Sequence, residues 1–210
     1  MTKKNLLLGL MMFVALMLNT VSVEAAVIAP PKKWDGAAAG SYAIKYATSP
    51  NKNYHEFLAD CTNFASQCVS AGNKYMDCDA KQKPKKGGKV VSTSEKWYYV
   101  SGGSKDNYVC TTSWCRCSGK QAFANYWYSY NVGAFAKLSN VRKNSSVGDV
   151  IQITKEDGTL QHSIIVSKKD KSEIYCASHT SNYSADKLAE IDKRATKQWG
   201  KVKYTVFHFK

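Results

Sequence analysis

Apolar positions along the chain fall into two rhythms. From residue 35, Ala38, Ala39, Tyr42, Ala43 and Tyr46 recur at helical spacing, with Asp35 placed to cap the start and Pro50 to enforce the end. From residue 61, Cys61, Phe64, Ala65, Cys68 and Val69 repeat as i, i+3, i+4, i+7, i+8, the stripe of a second helix. Thr62, Asn63, Ser66, Gln67 and Ser70 fall opposite that stripe; Asp60 is an N-cap residue, and Gly72 with Asn73 supplies the stop. A third helix is predicted over 121–130, where Phe123, Tyr126, Trp127 and Tyr130 share one face, and a fourth over 185–199.

The second half alternates with period two. Strands are predicted over 148–153, 160–166, 172–178 and 201–209, and Glu156-Asp157-Gly158 reads as the hairpin joining the first two. Trp97-Tyr98-Tyr99-Val100 is a short buried strand in an otherwise Lys-, Gly- and Ser-rich insertion over about 73–120. Within it, 81–89 carries five lysines, a proline and two glycines and reads as a solvated loop. Helices and strands in this order predict an α+β domain over 34–210, preceded by a short tether over 26–33.

The first 25 residues follow a different pattern. Lys3 and Lys4 precede an apolar run from Leu6 to Leu18, and small residues follow at Val23-Glu24-Ala25. This is the pattern of a cleavable export signal, too short for a comfortable membrane span. The expected protein is secreted or wall-associated, with no membrane contact after signal cleavage, and is taken to be a monomer.

The formal net charge of +14 implies an anionic partner surface or simple solubility. No helix-turn-helix, zinc-finger or RNA-recognition pattern accompanies it, so nucleic acid is not the expected partner. Seven cysteines, at 61, 68, 78, 110, 115, 117 and 176, are an odd number. In an exported chain, three disulfides and one free thiol are the simplest partition, with the pairings open. The spacing of Cys110, Cys115 and Cys117 lacks the paired ligands of a structural zinc site, and no metal or cofactor is expected. Cys61 stands where free helix amides and the dipole favour a thiolate, so it reads as either a nucleophile or half of a disulfide.

The string Asp60-Cys61-Thr62-Asn63-Phe64 with Ser66-Gln67-Cys68 resembles the signature of the putative amidase domain family, a secreted relative of the NlpC/P60 and CHAP papain-like cysteine hydrolases. The resemblance implies a papain-like fold, with the cysteine at a helix N-terminus packed on an antiparallel sheet that carries the histidine. It implies catalytic roles for Cys61 and for His162, in His162-Ser163-Ile164-Ile165-Val166. His179, at the end of the following strand, is expected to reach His162 as the orienting third residue, with Asn182 as the alternative. Tyr54, in the loop before the cysteine helix, is expected near the oxyanion. The implied activity is cysteine-dependent cleavage of a peptide or amide bond in cell-wall peptidoglycan. A non-catalytic wall- or glycan-binding module, or a secreted enzyme acting on proteins, are the competing readings.

Overall fold

A computed structural model describes residues 33–79 and 81–210. The predicted export signal and the tether as far as residue 32 lie outside the described residues. The order of elements is α1 (Gly36–Tyr46), α2 (Cys61–Ala71), β1 (Lys89–Val91), β2 (Tyr99–Ser104), β3 (Asn107–Thr111), α3 (Thr112–Cys115), α4 (Phe123–Tyr126), β4 (Asn131–Phe135), α5 (Leu138–Lys143), β5 (Val150–Lys155), β6 (Leu160–Lys169), β7 (Ile174–Ser178), β8 (Tyr183–Lys187), α6 (Leu188–Trp199) and β9 (Val202–Phe207). The class is α+β. Among the described residues no helix is long and apolar enough to cross a membrane.

The main sheet has six strands in the order β4-β9-β5-β6-β7-β8, every neighbouring pair antiparallel. Its pleat divides the core in two. Val150, Ile165, Ala177 and Phe207 point to one face and pack with α1 and α2. Ile151, Ile153, Ile164, Val166, Ile174, Tyr204 and Val206 point to the other and pack with Leu188, Ile191 and Ala195 of α6. Each fully buried Ile or Val contributes about 1.5–3 kcal/mol. The insertion forms a separate three-stranded sheet, β1-β3-β2, in which β1 runs parallel to β3.

Helix α1 starts as predicted, with the Asp35 carboxylate accepting from the Ala38 amide at 2.9 Å. It lies close on the sheet because Gly40 has no side chain: a Cβ there would stand 2.9 Å from the Ser167 carbonyl oxygen. The long helix predicted over 121–130 is instead one turn of α4 followed by a 3-10 turn, Tyr128–Tyr130. Trp127 packs edge-on against Tyr130 and Phe209 there, with centroids 5.1 and 5.0 Å away. The helix predicted from 185 begins at Leu188, because 183–187 pairs with β7 as strand β8. All seven cysteines are free thiols, in place of the expected disulfides.

Candidate active site

Helix α2 is buried on every side from Cys61 to Val69, and Thr62, Asn63, Ser66 and Gln67, opposite its apolar stripe, are buried with the rest. Each has a partner, as buried polar groups must. Thr62 Oγ1 and Ser163 Oγ of β6 lie 2.8 Å apart. Asn63 donates to the His55 carbonyl at 2.8 Å and accepts from the Trp114 indole at 2.7 Å. The Ser66 hydroxyl donates to the Trp114 carbonyl at 2.7 Å and accepts from the Trp97 indole at 3.1 Å. Gln67 accepts from the Tyr42 hydroxyl at 2.9 Å. The helix therefore docks in one rotation and one register.

That docking fixes Cys61 at the first helical position, 4 % exposed, on the wall of a 620 Å³ cleft. Phe57, Leu58, Arg116, Cys117 and Leu160 line the same cleft. The thiol pKa is pulled well below its ordinary value: the Cys117 thiol hydrogen-bonds to it, and its contact with the His162 ring and the Ser163 amide adds to that effect, outweighing the opposing effect of burial. Cys117 moves the other way, held up by the neighbouring Cys61 sulfur and by burial. The pair thus carries its charge on Cys61, where the helix dipole also favours it.

His162 stands near the start of β6, beside a register shift between β5 and β6 that re-aims the strand end. It reaches Cys61 on the α2 side and lines a second, 450 Å³ cleft with Asn182, Arg194 and Trp199 on the α6 side. Its Nε2 is 2.9 Å from Ser178 Oγ. That hydroxyl also lies 3.0 Å from the Ser163 carbonyl and 2.9 Å from the His179 carbonyl, so its single proton goes to one of them. A serine oxygen so engaged accepts from Nε2–H. The network therefore assigns the proton to Nε2 and leaves the Nδ1 lone pair for the thiol.

The structure does not bring His179 to His162. Strand β7 ends at Ser178, and the His179 ring turns toward the start of α2. There Nδ1 is 2.5 Å from Asp60 Oδ2, Nε2 is 2.9 Å from the Tyr46 carbonyl, and Phe64 stacks on the ring at 4.0 Å. Both nitrogens face acceptors. Burial lowers the imidazole pKa, but Asp60 and the Tyr46 carbonyl raise it more, and the net shift is upward. Asp60 is consequently no side-chain cap for α2. Its other oxygen accepts from the Phe57 amide and from Asn63, and its own amide donates to Thr180 Oγ1 at 3.0 Å. His179 and Thr180 anchor the residue next to Cys61.

Asn182 shares the 450 Å³ cleft with His162, in a left-handed backbone conformation (φ 42°), while Ser178 occupies the ring nitrogen it was expected to hold. Tyr54 packs in an aromatic cluster with Tyr99 and Trp114, at 4.8 and 6.1 Å, and not on the cleft wall. Sequence reasoning missed Ser178 and the partnership of Cys117. The only signal for either was a serine before His179 and a cysteine in the insertion, taken there as a disulfide partner. Among the described residues no group of three or more His, Cys, Asp or Glu side chains is placed to hold a metal ion.

Comparison with known proteins identifies the family of the chain. Residues 33–206 match the family described as Putative amidase domain. The uncharacterized protein YjcM of Bacillus subtilis (strain 168) is 30% identical over 173 residues, which is 78% of this chain and 34% of YjcM. The chain thus spans about a third of that relative's length. No solved structure matches significantly.

Proposed function

The chain belongs to the putative amidase domain family, and from that premise we propose that it is a secreted cysteine amidase or peptidase that hydrolyses a peptide or amide bond in cell-wall peptidoglycan. One observation carries the reading: a pKa-lowered thiol at a helix start touches a histidine whose far nitrogen is held by a buried serine. This is the relation of nucleophile, base and orienter that papain-like hydrolases use.

In this mechanism Cys61 attacks the substrate carbonyl as the thiolate. His162 gives its Nδ1 proton to the leaving amine, then takes a proton from the water that releases the acyl group. Ser178 keeps the ring in the working tautomer. The Cys61 backbone amide, at the first helical position, is a donor for the oxyanion. His179 is a positioning residue, acting through Asp60 on the start of α2. Arg116, exposed on the cleft wall, is a cationic anchor for a carboxylate of an acidic stem peptide. The predicted export signal and the net charge of +14 suit an anionic wall.

The test is digestion of purified peptidoglycan by the reduced protein and by its Cys61→Ala variant, with released fragments read by mass spectrometry. New fragments from the parent protein alone are the expected result, and their masses identify the scissile bond. Equal release by both proteins defeats the mechanism. No release by either, with Cys61 a free thiol, points to another amide substrate; no release with Cys61 locked in a disulfide points to a wall-binding module.

A further inference from the structure

Cys61 has a second sulfur beside it. Both Cys61 and Cys117 line the 620 Å³ cleft, and each sulfur is the neighbour that most shifts the other's titration. Cys117 Sγ is fixed in that orientation by Ser163 Oγ at 3.5 Å and Gln152 Nε2 at 3.8 Å. Thr62 Oγ1, 3.8 Å from Cys61 Sγ, completes the bracket through its contact with Ser163. Cys117 is half-buried, and Ser118, Gly119 and Lys120 after it are exposed. A small oxidant can enter the cleft, and the loop has room to shift as an S–S bond of about 2.05 Å forms. Of the remaining thiols, Cys68 and Cys176 are sealed in the core, Cys110 and Cys115 neighbour each other, and Cys78 is exposed outside the cleft lining.

We propose that Cys117 is the resolving thiol of Cys61, and that a small oxidant such as a low-molecular-weight disulfide converts the pair into a reversible Cys61–Cys117 bond. The Cys61 thiolate attacks one sulfur of the oxidant, forms a mixed disulfide and expels one small thiol. The Cys117 sulfur then loses its proton, attacks Cys61 Sγ and expels the second. Two protein thiols are oxidised by two electrons in all. The oxidant is reduced to two thiols, which take up the two protons the protein gives off. The bond removes the nucleophile from reaction while shielding it from the irreversible higher oxidation states of sulfur. Its effect on activity rests on the nucleophilic reading of Cys61; its formation does not.

The experiment exposes the reduced full chain to glutathione disulfide, traps free thiols and maps linked peptides by mass spectrometry. The expected product joins Cys61 to Cys117 and is reversed by dithiothreitol. Alkylation of Cys61 by iodoacetamide slows at least about tenfold in the oxidised form and recovers on reduction. The Cys117→Ser protein stops at glutathione bound to Cys61. Three results overturn the proposal: Cys61 bonded to Cys115, glutathione retained on Cys61 in the parent chain, or Cys61 unreacted while the urea-unfolded chain reacts. If the linked bond forms in a protein whose Cys61→Ala variant keeps full activity, the redox pair stands and the hydrolase reading falls.

Discussion

The two faces of the six-stranded sheet are built on different principles. The α6 face is largely aliphatic: Ile151, Ile153, Ile164, Val166 and Ile174 meet Leu188, Ile191 and Ala195, and Tyr204 adds one hydrogen bond, to Asp192 of α6. The α2 face carries Phe64 and Val69 among tyrosines and tryptophans, and is threaded by hydrogen bonds from Thr62, Asn63, Ser66 and Gln67. An aliphatic face tolerates small slips of a helix over a sheet. A face with four directional side chains on one helix does not, because each slip strands a buried donor or acceptor. The nucleophile lies on the bonded face, and His162 stands at the strand end where the two faces meet.

The largest test of that contrast is at its edge. Replacing His162 with alanine is expected to lower kcat/KM on peptidoglycan fragments by about a thousandfold or more, with little change in melting temperature. A marked fall in melting temperature would make His162 structural. On the aliphatic face the expectation inverts. Leu188→Ala is expected to cost about 2–5 kcal/mol in urea unfolding while activity per folded molecule is unchanged. Ser66→Ala removes one oxygen atom, yet it leaves the Trp97 indole and the Trp114 carbonyl unpaired. It is expected to cost about 1–3 kcal/mol and to lower activity as well.

A finer test uses pH. His179 has a raised pKa in the fold, so the folded state holds the proton more tightly than the unfolded one. The stabilisation is complete below the ordinary histidine value of about 6.5 and is lost as pH rises through the raised value. Urea midpoints should therefore fall across that window in the parent protein, and the fall should flatten in Asp60→Asn. An equal fall in both would mean that another group titrates. The smallest effect is expected at the solvated Lys193–Glu190 pair, where Lys193→Ala should leave the melting temperature unchanged within error.

The aliphatic face was legible in the sequence because period-two and period-3.6 patterns record burial directly. The β5–β6 hairpin, α1, α2 and the apolar face of α6 all follow from it. The bonded face was legible only through the signature around Cys61, since periodicity treats a buried Asn63 or Gln67 as a polar residue and is silent on its partner. Strand β8 was missed because its Ser, Asp and Lys pair at an edge and bury little. His179 was misdirected because the end of its strand was expected to bring it beside the start of the neighbouring one, a place that Ser178 takes. Thr180 and Asn182 adopt left-handed backbone conformations (φ 74° and 42°) that turn the chain toward α2 instead. Ser178 could not be read at all, because its role comes from a cross-strand neighbour and not from its own segment.

The indole of Trp114 has an optical consequence. Three of the chain's five tryptophans, Trp97, Trp114 and Trp127, pack together around Trp97, and two of them donate to side chains of the nucleophile's own helix. Their emission is thus wired to the seating of α2. A red shift on warming or on adding denaturant would register the loosening of Cys61 from its station, without a substrate and without a label.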